Sequence, residues 1–311
     1  MYIGIDIGGT KCAVVLGDEN LKVINKVKFN TGSLSETLER IYAEVGALPK
    51  CRGIGISCGG PLDEERGVIL SPPNLPGWDE VHITEELQRR FGVPAVLRND
   101  ANACAIAEYR FGAGKGSRNM VFLTFGTGLG AGIIIDGRLY SGSSGMAGEV
   151  GHLRLEDDGP VGYGKRGSFE GFCSGGGIAQ LGVMVAEKRR REGVSSLLHT
   201  YKDEELTAKL LAELARSGDP DAIEVFKISA EHLGRGLSVI VDILNPDRIV
   251  IGSIYERCED ILAPAMQKVL EREAMPHALS VCRVVPAALG DGIGDVAALS
   301  CAIDKFGEDR I

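Results

Sequence analysis

Three residues near the middle of the sequence carry side chains that bind metals or sugars. In the segment GEVGHLRLEDDGPVGYGKRGSFEG, residues 148–171, Glu149 and His152 lie at one end and Glu170 near the other, with a glycine-rich stretch between them. Carboxylates and an imidazole can ligate a metal ion. The same groups can also form hydrogen bonds with a ligand that carries several hydroxyls. Their types and spacing leave both chemistries open.

The turn after the first predicted strand combines a carboxylate with glycines and a lysine. The strand YIGID ends at Asp6, and Gly8, Gly9, Thr10 and Lys11 follow. Glycines let backbone N–H groups approach a phosphate closely. Thr10 and Lys11 can contact phosphate oxygens, and Asp6 can hold Mg²⁺ through water molecules. A structural tight turn is the alternative for one such loop taken alone.

A second copy of this unit favours phosphate binding over the structural alternative. Residues 120–140, MVFLTFGTGLGAGIIIDGRLY, repeat the order of strand, glycine turn, strand and hairpin signal, and place Thr127 and Gly128 in the turn. Neither loop has the order of a P-loop or leads into a helix as a dinucleotide fingerprint does. The repeat predicts two related domains, each offering a glycine turn to a shared cleft.

Strands and helices alternate along the rest of the chain, which indicates an α/β fold. We predict a first domain over residues 1–117 and a larger second domain over 118–292, with GAGKGSRN (112–119) as the connection. A last helix, at about 293–311, is expected to pack on the first domain. Predicted helices in the second half cover 178–192, 203–216, 219–243 and 259–273.

Asn99 and Asp100 lie where the strand VPAVLR ends and a helix begins. Asp100 can point into a cleft as a proton acceptor, or it can cap the helix. The start of a helix is expected to favour its ionised form. Glu108 is expected on the face of this helix, and Asp295 is expected to cap the last helix.

Composition excludes several classes of protein. The net charge of −9 and the pI of about 5.2 argue against a general nucleic-acid surface. No apolar run has the length of a membrane span, and the first strand begins at once, which predicts neither membrane association nor a signal peptide. Eight scattered cysteines fit core packing in a reducing cytoplasm better than a disulfide framework.

Six motifs together resemble the ROK family, which joins repressors, open reading frames of unassigned function and sugar kinases. They are DIGGT (6–10), PNLPGW (73–78), NDANA (99–103), FGTGLGAG (125–132), GEVGH (148–152) and NPDRIVIGS (245–253). The resemblance covers essentially the whole chain and keeps the family's order. It implies a two-domain actin-like (ribonuclease H-like) ATPase fold. It also implies transfer of the γ-phosphoryl of ATP, with Mg²⁺, to a hexose or N-acetylhexosamine, usually at the 6-hydroxyl.

The resemblance also assigns roles residue by residue. Asp100 matches the catalytic aspartate. The matches to the family's sugar contacts are Gly60, Asn74, Asn99, Asp100, Glu149, His152 and Glu170. On the nucleotide side, phosphate or adenosine contacts are expected from Asp6, Gly8, Gly9, Thr10, Lys11, Thr127, Gly128 and Gly252.

One departure from the family concerns the opening segment. Many members carry CxCGxxGCxE, whose cysteines bind a structural zinc together with the histidine. Here the aligned run is VGYGKRGSFE (161–170), with Val161, Tyr163 and Ser168 at the cysteine positions. A tetrahedral site needs about four ligands. We therefore expect no structural zinc, and we expect packing and hydrogen bonds to hold this loop, with Tyr163 as a candidate anchor.

The exact sugar is left open. Glucose is the first expectation and N-acetylmannosamine the second, and a cytoplasmic homodimer is expected from the resemblance alone. A repressor of the family would carry a DNA-binding segment ahead of DIGGT, which begins at residue 6 here. A sugar-binding protein without catalysis and another actin-like ATPase are the remaining alternatives. The retained Asp100 and the motifs NDANA and GEVGH count against these two.

Overall fold

The computed structural model of the chain describes residues 1–308, over which strands and helices alternate. The strands are β1 (Tyr2–Ile7), β2 (Lys11–Gly17), β3 (Val23–Asn30), β4 (Ile54–Cys58), β5 (Leu62–Asp63), β6 (Val68–Ile69), β7 (Ala95–Asn99), β8 (Met120–Phe125), β9 (Leu129–Ile135), β10 (Arg138–Leu139), β11 (Val161–Gly162), β12 (Lys165–Arg166), β13 (Arg248–Ser253) and β14 (Arg283–Pro286). The α-helices are α1 (Leu34–Gly46), α2 (Ile83–Phe91), α3 (Asp100–Phe111), α4 (Phe169–Phe172), α5 (Gly175–Glu192), α6 (Ala208–Arg216), α7 (Pro220–Leu244), α8 (Ile254–Glu273), α9 (Pro276–Leu279) and α10 (Ile293–Phe306).

The first sheet has the strand order β3-β2-β1-β4-β7. Strands β1, β2 and β3 pair antiparallel, whereas β4 lies parallel to both β1 and β7. Because successive side chains of a strand point to opposite faces, β1 contributes to two hydrophobic clusters. Ile3 and Ile5 pack in the cluster that contains Ile41 of α1, and Tyr2 packs in the cluster that contains Leu299 of α10. Both faces of this sheet are therefore covered by helices.

Helix α10 approaches the first sheet so closely that two strand positions require glycine. A Cβ on Gly4 would lie 2.5 Å from the backbone nitrogen of Leu299, and one on Gly55 would lie 2.0 Å from the carbonyl oxygen of Ala298. Both distances are far below the usual range of non-bonded contacts. The last three residues of the predicted segment 293–311 lie outside the described residues.

The second sheet repeats the order of the first. Its strands run β10-β9-β8-β13-β14, with β13 parallel to β8 and β14, and with β9 antiparallel to β10. The strand–turn–strand unit that the sequence contains twice thus occupies equivalent places in two sheets. Leu123, Phe125 and Ile251 of this sheet pack in a cluster with Leu233 of α7 and Leu262 of α8.

Contacts divide the chain into two units. The first unit comprises Met1–Ser117, Gly132–Ala147 and the chain from Ala288 onward, and the second comprises Arg118–Ala131 and Gly148–Ala287. The segment 132–147 therefore belongs to the first unit, although the predicted boundaries assign it to the second domain.

Glu108, expected on the face of helix α3, lies on a face of that helix that packs against other parts of the first unit. Its side chain is fully buried, and its carboxylate accepts hydrogen bonds from the backbone N–H groups of Ala113 at 2.7 Å, Leu289 at 2.8 Å and Ala288 at 3.0 Å. These bonds satisfy a carboxylate that would be costly to bury alone. Glu108 therefore fastens two loops of the first unit to helix α3.

All eight cysteines are free thiols, and five of them are buried. Among residues 1–308, no helix combines the length and the apolar character that crossing a bilayer requires.

Candidate active site

The turn between β1 and β2 exposes the side chains expected at phosphate. Thr10 and Lys11 are exposed, and the Gly8 N–H donates to the Lys11 carbonyl at 3.1 Å, which closes the turn. A Cβ on Gly9 would lie 2.5 Å from the carbonyl oxygen of Asn74. Glycine at position 9 therefore lets the loop that carries Asn74 lie directly against the turn.

A buried tryptophan supports the loop that carries Asn74. Leu75 and Trp78 are 3% and 1% exposed and belong to the core on the α1 side of the first sheet. Asn74 itself is exposed. The apolar neighbours fix the loop and leave the amide of Asn74 accessible to a ligand.

Asp6 is a half-buried carboxylate near two other carboxylates. Burial, and then the negative charges of Asp100 and Asp295, raise the pKa of Asp6 to about 7, although a hydrogen bond with Ser57 opposes the shift. These effects all disfavour the charged form except the hydrogen bond. Asp6 therefore titrates near neutral pH in the protein without bound ligands.

Asp295 binds two lysines and does not cap helix α10, contrary to the prediction. Gly292 precedes the helix and provides no side-chain cap. The carboxylate of Asp295 forms ion pairs with Lys26 and, at 2.6 Å, with Lys28. Burial alone would raise the pKa of Asp295, but the hydrogen bonds from the two lysines outweigh it and lower the pKa below its usual value. Paired lysines thus keep this carboxylate charged.

Asn99, not Asp100, caps helix α3. The side-chain oxygen of Asn99 accepts from the Ala101 N–H at 3.0 Å, and Asp100, the first residue of the helix, accepts from the same N–H at 2.8 Å. Desolvation by the surrounding protein raises the pKa of Asp100, although its hydrogen bond with the Ala101 N–H lowers it. The helix start thus favours the ionised form, as expected, but desolvation has the larger effect on the pKa.

Gly60 adjoins this helix start. It is exposed, and a Cβ built on it would lie 3.6 Å from the amide nitrogen of Asn99. The first unit thus brings the DIGGT turn close to the Asn74 loop, and Gly60 close to the start of α3.

In the second unit, Glu149 precedes a short 3₁₀ turn, Val150–His152, which His152 ends, and both residues are exposed. Glu170 lies in the one-turn helix α4, which Ser168 caps through its hydroxyl at 3.1 Å from the Gly171 N–H. Such a capped turn aims the Glu170 side chain in a fixed direction.

Hydrogen bonds hold the segment between His152 and Glu170 in place. The Lys165 ammonium donates to the His152 carbonyl at 2.6 Å. The side chain of Gln180 bonds both the N–H and the carbonyl of Val161 at 2.9 Å. These contacts fasten the segment 152–170 within itself and to helix α5.

Tyr163 contributes little to that support. Its ring meets the His152 ring edge-on at 5.2 Å between centroids, but it is 71% exposed. Val161 is also exposed, and the hydroxyl of the buried Ser168 is engaged in the cap. Valine, tyrosine and serine at the three cysteine positions do not fit a zinc site, and the absence of zinc stays a prediction.

Glu170 also contacts the glycine turn of the second sheet. Its Oε2 accepts from the Leu129 N–H at 2.9 Å, and a Cβ on Gly128 would lie 2.8 Å from the same oxygen. A residue expected at the sugar therefore touches the turn expected at phosphate. Thr127, at the tip of this turn, is exposed.

A cavity of about 770 Å³ opens beside Thr127 in the second unit. Its lining residues come from the glycine turn and from helices α5, α6 and α8, and include Gly126, Ala179, Ala208, Ala212, Ser253, Ile254 and Arg257. Gly252 does not line it: this residue is buried and packs against the Phe122 ring. The volume lies within the range of small-molecule sites.

Sequence reasoning missed two groups of residues that surround these sites. The wall of the cavity comes from α5 and α6, whose small residues carry no motif. Glu64, in the turn after β5, is 8% exposed and accepts a hydrogen bond from the Asn99 N–H at 2.8 Å. Its position immediately after PLD gave no local signal, because its hydrogen-bond donors Asn99 and Asn102 lie 35 and 38 residues away.

Comparisons with known proteins agree with this arrangement. A profile of the ROK family matches residues 2–305. A glucokinase of Thermotoga maritima is 33% identical, covering 98% of each chain. The crystal structure of a ROK family glucokinase from Streptomyces griseus, in complex with glucose and AMPPNP, aligns with a TM-score of 0.76 at 32% identity, covering 97% of this chain and 98% of that one.

A regulator shares the fold as well. The structure of a ROK family transcriptional regulator, a homologue of the Mlc protein of E. coli, aligns with a TM-score of 0.84 at 24% identity and covers 96% of this chain and 77% of that one. Two five-stranded sheets of matching order, the positions of the six motifs and the match over residues 2–305 lead to one conclusion: the chain belongs to the ROK family and has its actin-like fold.

Proposed function

We propose that the protein is an ATP-dependent kinase that phosphorylates a hexose, glucose first, at its 6-hydroxyl. The observation that carries the proposal is Asp100: a carboxylate at the first position of a helix, beside the motif residues Asn99 and Gly60. Relatives named glucokinase, 32% and 33% identical over nearly the full chain, support the choice of sugar. An N-acetylhexosamine such as N-acetylmannosamine is the alternative substrate.

Asp100 is proposed to accept the proton of the attacking sugar hydroxyl. Phosphoryl transfer needs little covalent chemistry from the protein, but it needs a group that orients the nucleophile and accepts its proton. Desolvation raises the pKa of Asp100, and a carboxylate with a raised pKa is a stronger base. The two hydrogen bonds at the Ala101 N–H fix the start of the helix on which Asp100 is held.

Sugar recognition is assigned to the residues that match the family's sugar contacts. In the first unit they are Gly60, Asn74 and Asn99. In the second unit they are Glu149, His152 and Glu170. Amides, carboxylates and an imidazole supply the mixture of donors and acceptors that sugar hydroxyls require.

ATP is assigned to the glycine turns and the second-unit cavity. The exposed Thr10, Lys11 and Thr127 are suited to phosphate oxygens, and the cavity with its small and apolar wall is suited to the adenosine. Gly252 supports this site through packing on Phe122 and not as part of the cavity wall.

Asp6 suits a divalent cation. It is a hard oxygen donor, and a bound cation would offset the repulsion from Asp100 and Asp295 that raises its pKa. When bound through water at Asp6, Mg²⁺ would neutralise charge on the phosphates of ATP.

A panel of sugars with coupled detection of ADP tests the proposal. Glucose is expected to stimulate ADP release most strongly, ahead of mannose, N-acetylglucosamine and N-acetylmannosamine. Asp100→Ala should abolish turnover and retain glucose binding by calorimetry. If none of the sugars stimulates ADP release by the wild type, the kinase proposal is refuted, and glucose binding without turnover would favour a regulator instead.

The homodimer and the cytoplasmic location expected from the resemblance are proposals as well. Light scattering coupled to gel filtration measures the mass directly. A mass near 33 kDa, that of one chain, would refute the dimer.

A further inference from the structure

Glu64 is a buried carboxylate with no part in the chemistry described so far. It lies in the turn between β5 and β6, and its side chain is 8% exposed. Burying a carboxylate costs free energy unless it is paired or hydrogen-bonded. Its partners must therefore offset the cost of its burial.

One oxygen of Glu64 holds the chain on both sides of Asp100. Oε1 accepts from the backbone N–H of Asn99 at 2.8 Å and from the side-chain amide of Asn102 at 2.8 Å. Because β7 is the edge strand of the first sheet, an outward N–H at its end has no neighbouring strand to bond. Glu64 supplies that acceptor and ties the end of β7 to the first turn of α3.

The other oxygen of Glu64 is held in turn. Oε2 accepts from the Ser141 hydroxyl at 3.2 Å and lies 3.5 Å from the guanidinium of Arg98. A carboxylate with four partners on two oxygens has few orientations left. The contacts of Oε2 with Ser141 and Arg98 thus fix the position of Oε1 relative to Asn99 and Asn102.

We propose that Glu64 is a positioning residue for Asp100. This inference rests on the proposed function, because Asp100, the residue that Glu64 would orient, is the base proposed there. The carboxylate fixes residues 99 and 102, so that the backbone of Asp100 between them cannot rotate. A displacement of the base by about 1 Å can lower turnover by about 100-fold.

Substitution of Glu64 tests this role, with its neighbour as the matched control. Glu64→Ala should lower kcat about 10- to 100-fold, with the KM for ATP unchanged, because the nucleotide residues lie elsewhere. Glu64→Gln keeps an acceptor for Asn99 and Asn102 and should recover most of kcat. Glu65→Ala removes an equal charge from an exposed position and should behave as the wild type.

Hydrogen exchange separates positioning from a general loss of stability. In Glu64→Ala, amides at the start of α3 should exchange faster, and amides of α1 and α10 should keep the wild-type rate. If Glu64→Ala fails to fold, Glu64→Asp takes its place, with a smaller loss of kcat expected from its shorter reach. A kcat for Glu64→Ala, or for the Asp variant used in its place, within about threefold of wild type would overturn the inference. An inactive wild type would overturn the proposed function, and the exchange pattern would then still report whether Glu64 fixes the helix start.

Discussion

Replacing Asp6 with asparagine should stabilise the protein above neutral pH. The surroundings raise the pKa of Asp6 from 3.8 to about 7, a shift of roughly 3 units. Each unit corresponds to about 1.4 kcal/mol, so the ionised side chain lowers the free energy of unfolding by at most about 4 kcal/mol. Asparagine carries no charge and avoids this cost at every pH.

The sign follows from proton binding. Between pH 3.8 and about 7 the folded protein holds a proton on Asp6 that the unfolded chain has released. The stability that this proton gives is fully present below pH 3.8 and is lost as the pH rises through 7. The advantage of Asp6→Asn over the wild type should therefore grow by roughly 3 kcal/mol between pH 5 and pH 8.

Urea unfolding in EDTA at the two pH values measures this difference without a bound cation. Glu19→Gln, which removes a charge from an exposed position, controls for the change in net charge. Asp6→Asn should also lose sugar-stimulated ADP release, which makes the carboxylate a functional residue retained at the expense of stability. An Asp6→Asn protein that is no more stable than the wild type at pH 8 would refute the electrostatic reasoning.

Three further predictions concern the second unit. Gly128→Ala should raise the KM for ATP at least about 10-fold, because its Cβ would meet Glu170 Oε2 at 2.8 Å; an unchanged KM in steady-state kinetics would contradict this contact. Ser253→Gly should raise the free energy of unfolding by about 1 kcal/mol, because Ser253 has φ 63° and ψ −111°, where side chains other than glycine are strained; equal urea midpoints would rule this out. Protein purified without added zinc should contain none by elemental analysis, and one tightly bound zinc per chain would show that the loop at 161–170 has ligands outside the family's pattern.

Local signals predicted the elements well and their partners poorly. Helix α7 begins and ends within a residue of its predicted limits, 219–243, and α10 begins at its predicted start, because amphipathic spacing and end signals lie within the segments themselves. The predicted helix 203–216 instead starts at Ala208, because the Thr207 hydroxyl caps the chain there with a bond to the Leu210 N–H at 3.2 Å. A threonine inside a helical pattern can cap or continue it, and the sequence does not decide which.

Side chains that bond across long sequence distances escaped prediction. Glu108 accepts from residues 180 and 181 positions away, and Asp295 pairs with Lys26, 269 positions away. No periodicity encodes such pairs. The motif residues could be predicted because glycines and short polar side chains at the end of a strand form a recognisable local pattern. The charged residues that support them can be identified only in the folded structure, because their partners are distant in sequence.

The place of helix α10 in the sequence has a consequence for synthesis. It covers the face of the first sheet formed by Tyr2, Ala13 and Val15, yet it follows these residues by more than 270 positions, since α10 begins at Ile293. Segments 118–131 and 148–287, the second unit, leave the ribosome before that face can be closed. Strands β1 and β2 thus complete this part of their core only after α10 has been made, and a nascent chain arrested before residue 293 would expose a hydrophobic sheet face for chaperones to bind.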